Sequence, residues 1–308
     1  MKYLNIANGP ENASSIILGC MRMPALTVKN AAGMISAAWQ EGVNFFDHAT
    51  CYGDGEAETR FGDAFPQTGL RREEVILQSK CGLHFDRKEF DWSRDDILSS
   101  VEGSLKRLRT DYLDVLLLHR PDLLFEPEQV AEAFDKLSES GKVRYFGVSN
   151  VTPGQLMLLK KFVRQPLVIN QLQFSLEQSQ LIDPGLYLNN LTTDRSTDRD
   201  NGVLDYCRLN DITVQAWSPL QFGMFKGCFV DHPDFPELNQ ALSEIGESYG
   251  VSKTAVAIAW ILRHPARMQA IAGTMNPEHL KDICLATKVS LTHQEWYRLY
   301  LASGKFLP

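Results

Sequence analysis

The sequence predicts a closed (β/α)₈ barrel of the TIM type, an α/β architecture, and three observations carry that expectation. Short apolar or β-rich runs alternate with stretches of helical periodicity along nearly the whole chain. There are eight such runs, one for each strand of a barrel. Strands buried on both faces should be near-continuous apolar runs, and LDVLLLH at residues 113–119 fits that better than an alternating surface strand. A doubly wound open sheet also alternates strand and helix, but it usually carries G-x-G-x-x-G after its first strand, and the sequence has none. A barrel of this kind accommodates all 308 residues, so residues 1–308 are expected to form a single domain.

In chain order the strand-like runs are residues 15–18, 43–47, 75–79, 113–119, 144–148, 167–173, 212–217 and 268–272. Helical stretches follow at 31–40, 56–65, 94–108, 126–140, 153–162, 202–209 and 277–286. Two more, 235–249 and 253–263, stand between the last two strands where one would suffice. Ser93 and Thr152 are suited to cap helix N-termini, with Pro153 at the first helical position. Gly42 and Gly141 read as helix stops. The polar run 192–200 reads as a solvated loop without a chemical role.

Composition narrows the function classes. A formal net charge of −7 argues against a nucleic-acid or anionic-membrane partner. Six cysteines are scattered with no C-x-x-C pair, which suits reduced thiols and a cytoplasmic home, and no ligand spacing suggests a metal. The N-terminus lacks the apolar run of a signal peptide, and no stretch approaches the roughly 18 apolar residues of a membrane span.

Barrels carry their chemistry at the carboxyl ends of their strands. Four titratable residues fall there: Asp47 closes VNFFD, Tyr52 follows in the same loop, Lys80 closes VILQSK and His119 closes LDVLLLH. Reducing a carbonyl needs a hydride at carbon, which only a cofactor supplies, and a proton at oxygen. A phenol is a poor acid at neutral pH unless its anion is stabilised. A nearby ammonium does that, and a carboxylate keeps the ammonium in place and charged. That chemistry is a reason for Tyr52, Lys80 and Asp47 to meet, with His119 orienting the carbonyl oxygen.

In FDHATCYG, SKCG and LLLHRPD the chain resembles the aldo-keto reductase superfamily, and the resemblance extends over GKVRYFGVSN at 141–150, AWSPL at 216–220 and IAGTMNPEHL at 271–280. It looks closest to bacterial oxidoreductases with DHA-x-x-YG and HRPD motifs. The resemblance implies an NAD(P)H-dependent enzyme reducing aldehydes or ketones to alcohols, with Tyr52 as proton donor. It implies that Ser149, Asn150 and Gln171 hold the nicotinamide amide and that Trp217 stacks on its ring. Ser218, Leu220 and Gly223 would cover the pyrophosphate, and Gly273, Thr274, Met275, Asn276, His279 and Asp282 would meet the adenosine end. Relatives that prefer NADP usually place a cationic Lys or Arg around the third to fifth position of this segment, and Arg further on. Its absence here leaves NAD(H) open beside the preferred NADP(H).

The expected partner is a small carbonyl compound. Its pocket is expected among 84–92, 221–235 and the tail 303–308, with Phe85, Trp92, Phe222 and Phe225 as candidate lining. Arg120 and Asp122 of HRPD read as a loop salt bridge, and a nucleophilic Cys51 would need a base such as His48. Two alternatives are a nicotinamide-binding regulatory or redox-sensing barrel with little turnover, and a metal-dependent hydrolase built on Asp47, His48 and His119. The intact set of four residues favours the reductase.

Overall fold

The computed structural model describes residues 1–224 and 226–308. Eight parallel strands close in sequence order: β1 (Ile16–Gly19), β2 (Phe45–Asp47), β3 (Ile76–Cys81), β4 (Leu113–Leu118), β5 (Val143–Ser149), β6 (Leu167–Gln173), β7 (Thr213–Trp217) and β8 (Gln269–Ala272). Helices α1 (Val28–Gln40), α2 (Glu56–Ala64), α3 (Arg94–Leu108), α4 (Pro127–Glu139) and α5 (Pro153–Phe162) fill the successive crossovers. Next come a short α6 (Asp183–Tyr187), α7 (Val203–Leu209), α8 (Pro236–Tyr249), α9 (Lys253–Leu262), α10 (Pro277–Leu285) and α11 (His293–Ala302). All eight predicted strands and nine predicted helices form within a few residues of their expected limits. Ser93 and Thr152 cap α3 and α5 as expected, each accepting a backbone N–H of the first turn.

The strands alternate between two cores, as period-two geometry requires. Leu18, Phe46, Leu77, Leu116, Leu118, Phe146 and Val148 face the helices. Ile17, Phe45, Val115, Leu117, Ile169 and Ile271 fill the barrel interior. The lower end of that interior is closed by a feature the sequence reading missed. Tyr3–Leu4 and Ala13–Ser14 pair as an antiparallel hairpin, and Ile6 and Ala13 join the interior cluster.

α11 was also missed. Its Trp296 stacks on Trp260 of α9 with ring centroids 4.8 Å apart, and each indole N–H donates to the other residue's carbonyl. The 192–200 run is more than a solvated loop, because Arg195 pairs with the buried carboxylate of Asp183 at 2.8 Å. None of the described helices is long and apolar enough to cross a membrane.

Helix α2 lies so close to α3 that Gly62 has no room for a side chain: a Cβ there would stand 2.2 Å from the carbonyl oxygen of Arg107. That neighbour is backbone and cannot swing aside. Gly62→Ala should therefore destabilise the fold by about 1–3 kcal/mol despite alanine's better helix propensity. Urea denaturation checks this, and a stability gain would contradict it.

Candidate active site

Because all eight strands are parallel, their carboxyl ends share one rim, and the predicted residues gather there. Asp47 ends β2, Lys80 lies one residue from the end of β3, and His119 follows β4. Lys80 is wholly buried, with its Nζ 2.7 Å from Asp47 Oδ2, 2.8 Å from the carbonyl of His48 and 3.0 Å from Tyr52 Oη. An ammonium has three donors, and these three acceptors use them all.

The Tyr52 ring meets the His119 ring edge-on, with centroids 5.9 Å apart. His119 Nδ1 lies 3.4 Å from Cys51 Sγ. The thiol's partner is therefore His119 and not His48, whose ring is buried edge-on against Phe61 with both nitrogens unpartnered. Among the described residues, Asp47, His48 and His119 do not form a group that could hold a metal ion.

Burial decides most of the protonation states. It would strip Lys80 of its charge, but Asp47 and the Tyr52 hydroxyl hold the lysine above its ordinary pKa. For Tyr52 burial wins: the phenol is pushed up to about 12, with the Lys80 charge pulling the other way. The sequence reading had the ammonium lowering this pKa, and in the folded protein its effect is only partial. His119 is held well below the usual histidine value by burial, then by the charges of Lys80 and Arg120, so it is a neutral imidazole. The Cys51 thiol is pushed up to about 11 by burial, which opposes a thiolate nucleophile.

The other oxygen of Asp47 begins a chain of amides that sequence reasoning missed. Gln78 and Gln171 donate to Asp47 Oδ1 at 2.6 and 3.2 Å, and both also donate to Gln215 Oε1. Gln215 donates to Gln269, and Gln269 donates to the carbonyl of Ser14 at the lower end of the barrel. All four glutamines are buried. The signal available in the sequence was a glutamine inside each of four apolar strands, which means little until closure brings the strands together.

A cavity of about 990 Å³ opens over this rim. Ser149, Asn150, Gln171, Trp217, Ser218, Leu220, Gly273 and Thr274 all line it, together with Asp47, Tyr52 and His119. Trp217 Nε1 donates to Asn150 Oδ1, Asn150 Nδ2 to Ser149 Oγ, and Ser149 Oγ to the carbonyl of Gln171. Asn150 and Ser218, just past β5 and β7, both adopt positive φ, a strained turn that re-aims the chain at the cavity edge.

The remaining cofactor candidates are outside the cavity lining. Gly223 packs against Lys226, Met275 is partly buried in the helix core, and Asn276 caps α10 by accepting from Glu278 N. His279 is exposed on α10, and Asp282 accepts from Ser252 Oγ at 2.6 Å. Arg22 was overlooked: it follows β1, lines the cavity and donates to the carbonyl of Gly273 at 2.9 Å. The strand-end rule that picked out Lys80 and His119 would have found it.

On the substrate side, Phe85 and Phe90 line the cavity from a two-residue ribbon, Leu83–His84 with Glu89–Phe90. Trp92 does not. It is fully buried beneath Gly82 and against Phe125, and its backbone N–H donates to Asp122. Phe222 packs on His232 and Phe235, and Phe225 lies outside the described residues. The tail does not reach the cavity lining either, being tied back through Phe306 to the Tyr187 hydroxyl. Asp122 accepts from the backbone N–H groups of Trp92 and Leu124, so the expected Arg120–Asp122 bridge does not form.

The model of the Aldo/keto reductase family matches residues 15–300. A 6-dehydroglucose reductase of Agrobacterium fabrum is 36% identical, the match covering 88% of this chain and 87% of that protein. Among solved structures, a thermostable aldo-keto reductase in complex with the inhibitor epalrestat is 27% identical with a TM-score of 0.79, covering 98% of this chain and all of that one. An aldo/keto reductase from Klebsiella pneumoniae in complex with NADP and acetate is 26% identical with a TM-score of 0.73, covering 94% and 91%.

The burial of the Lys80 charge yields a stability prediction. Lys80→Met leaves the Asp47 carboxylate buried without its cation, and should cost about 3–5 kcal/mol. Adding Asp47→Asn removes the stranded charge, so the double variant should be more stable than Lys80→Met alone. Denaturant titration of wild type, both single variants and the double variant measures the coupling. Strictly additive losses would show that the two side chains do not act as a pair.

Proposed function

We infer the roles of individual residues from a fixed premise: this chain belongs to the aldo/keto reductase family and is an NAD(P)H-dependent oxidoreductase that reduces carbonyl groups. The observation that carries our reading is the Lys80 ammonium hydrogen-bonded at once to Asp47 and to the Tyr52 hydroxyl, on the wall of a cavity large enough for a cofactor and a substrate. We read residues 1–308 as one catalytic unit. The buried free thiols Cys20, Cys81, Cys207 and Cys284 support a cytoplasmic home.

The donors on the rim fit a nicotinamide nucleotide. Ser149, Asn150 and Gln171 offer hydroxyl and amide groups for its carboxamide, and Trp217 offers a ring face. When bound, the nicotinamide supplies the hydride that no side chain can give.

The chain's own residues handle the proton and the charge. Tyr52, a phenol at neutral pH, gives its proton to the carbonyl oxygen as negative charge develops there. The phenolate left behind is stabilised by Lys80 at 3.0 Å, and Asp47 keeps that lysine charged and aimed. The neutral imidazole of His119, its Nδ1 beside Cys51, offers its other ring nitrogen to the carbonyl oxygen. Tyr52→Phe should lower kcat for carbonyl reduction by about 10² to 10⁴ while leaving the dissociation constant of the reduced cofactor unchanged. A panel of aldehydes and ketones with 6-dehydroglucose included, followed through NADPH oxidation, measures this. Undiminished turnover would remove Tyr52 from the role.

For the cofactor we propose NADP(H) over NAD(H). The segment at 273–282 has no cation facing the cavity, but Arg22 stands against its first residue and supplies one. The Klebsiella structure in complex with NADP is a second support. NADPH should give the higher kcat/KM, and Arg22→Gln should narrow its advantage over NADH in both kcat/KM and binding. A wild-type preference for NADH would reverse the assignment.

A further inference from the structure

Arg120 is the cationic residue at this rim that carbonyl reduction leaves without a task. It follows His119 directly and is half-buried, lining both the large cavity and a neighbouring chamber of about 260 Å³. Its guanidinium stands 5.5 Å from the centroid of the Trp217 ring. None of its five N–H donors has a hydrogen-bond or ion-pair partner among the described residues. Other half-buried arginines of this chain are satisfied: Arg72 and Arg195 bind Asp114 and Asp183 at 2.7 and 2.8 Å. A half-buried guanidinium with every donor open is costly unless something arrives to fill it.

The smaller chamber repeats the pattern, because the buried Nε2 of Gln173, which ends β6, also lacks a partner. Asp200 lines the same chamber but forms no ion pair with Arg120 among the described residues. Arg120 and Gln173 are thus two open donor groups lining the chamber, beside the buried and likewise unpartnered Oδ2 of Asp200, and Arg120 borders the large cavity as well.

We propose, resting on the carbonyl-reductase reading above, that Arg120 and Gln173 form a substrate subsite for an oxyanion, and that the preferred substrates are aldehydes or ketones carrying a carboxylate or phosphate group. The planar fork of a guanidinium matches either oxyanion through paired N–H bonds, while its face stays against Trp217. Partial burial lowers the pKa of Arg120 from the ordinary guanidinium value, so an arriving anion would recover electrostatic energy lost on folding. The carbonyl end of such a substrate would lie at Tyr52 and His119, whose protonation equilibria already feel the Arg120 charge or act on it.

Matched substrate pairs test this. Succinic semialdehyde is compared with butanal, and glyceraldehyde 3-phosphate with glyceraldehyde, by kcat/KM in wild type, Arg120→Met and Gln173→Leu. Wild type should favour the anionic member of at least one pair, and which pair it is separates carboxylate from phosphate. Arg120→Met should cut that preference by about tenfold or more, chiefly through KM, and Gln173→Leu by less. Equal losses on both members of each pair, or no preference in wild type, would overturn the subsite. A loss confined to NADPH affinity, measured by cofactor fluorescence, would also overturn it by giving Arg120 to the cofactor. Wild-type protein that reduces no carbonyl at all would defeat the reductase reading itself, whereas reduction without discrimination defeats only the subsite.

Discussion

The need to keep one ammonium charged inside a closed barrel organises the centre of this protein. An unpaired buried cation would lose its proton or unfold its surroundings. Lys80 avoids both because Asp47, the carbonyl of His48 and the Tyr52 hydroxyl take its three donors. Asp47 in turn needs partners for its second oxygen, and Gln78 and Gln171 provide them. Glutamine suits that duty because one amide both donates and accepts. The demand can therefore be passed on through Gln215 and Gln269 to a backbone carbonyl at the far end of the barrel. The interior thus has an apolar filling with a polar axis through it, and the axis ends where the chemistry begins.

The same charge pulls on its neighbours, but burial sets their states. Tyr52 is close enough to be hydrogen-bonded to Lys80, yet desolvation still leaves it a phenol with a pKa pushed up to about 12. That outcome suits a proton donor for reduction, since the group must hold its proton until the carbonyl oxygen becomes basic. In the role we propose for Tyr52, Lys80 would act mainly on the phenolate left as the proton departs, so its contribution would be larger in the transition state than before it. His119 is kept neutral by burial and by two nearby cations, so it can orient a carbonyl oxygen without competing to protonate it.

What could be read from the sequence follows from how locally each feature is specified. A strand end is marked by the apolar run before it, so Asp47, Lys80 and His119 were visible without a structure, and so were all eight strands to within a few residues. The glutamine axis was not, because Gln78 and Gln215 are 137 residues apart and meet only on closure. Trp92 misled in the other direction. An aromatic residue in a long loop looks like pocket lining, but Gly82 lets it lie flat beneath the rim, fully buried. The two-residue strands of the hairpin plug are too short to show a period, whereas α11 opens on a Thr292–Glu295 capping box and is as amphipathic as helices the sequence did reveal. Both earn their place through contacts with distant segments, the plug with the barrel interior and Trp296 with Trp260.

Net charge and local charge point in opposite directions here, and the local one governs what enters the cleft. The chain carries a formal charge of −7, which would repel anions at long range. Yet among the residues lining the large cavity the charged side chains are Arg22, Arg120 and Asp47, and the carboxylate is already committed to Lys80. The cleft is therefore cationic within an acidic surface. Beyond a Debye length of about 8 Å at physiological salt, the surface charge is largely screened, while charges walled by low-dielectric protein are screened much less. An anion that reaches the rim meets Arg22 beside the Gly273 segment and Arg120 beside Trp217, at two different stations of the cavity. In the cofactor placement we propose, a nicotinamide nucleotide would bring its phosphates toward the first. The second would meet no comparable demand from the nicotinamide ring, and that mismatch between supply and use is why our proposal gives it to the substrate.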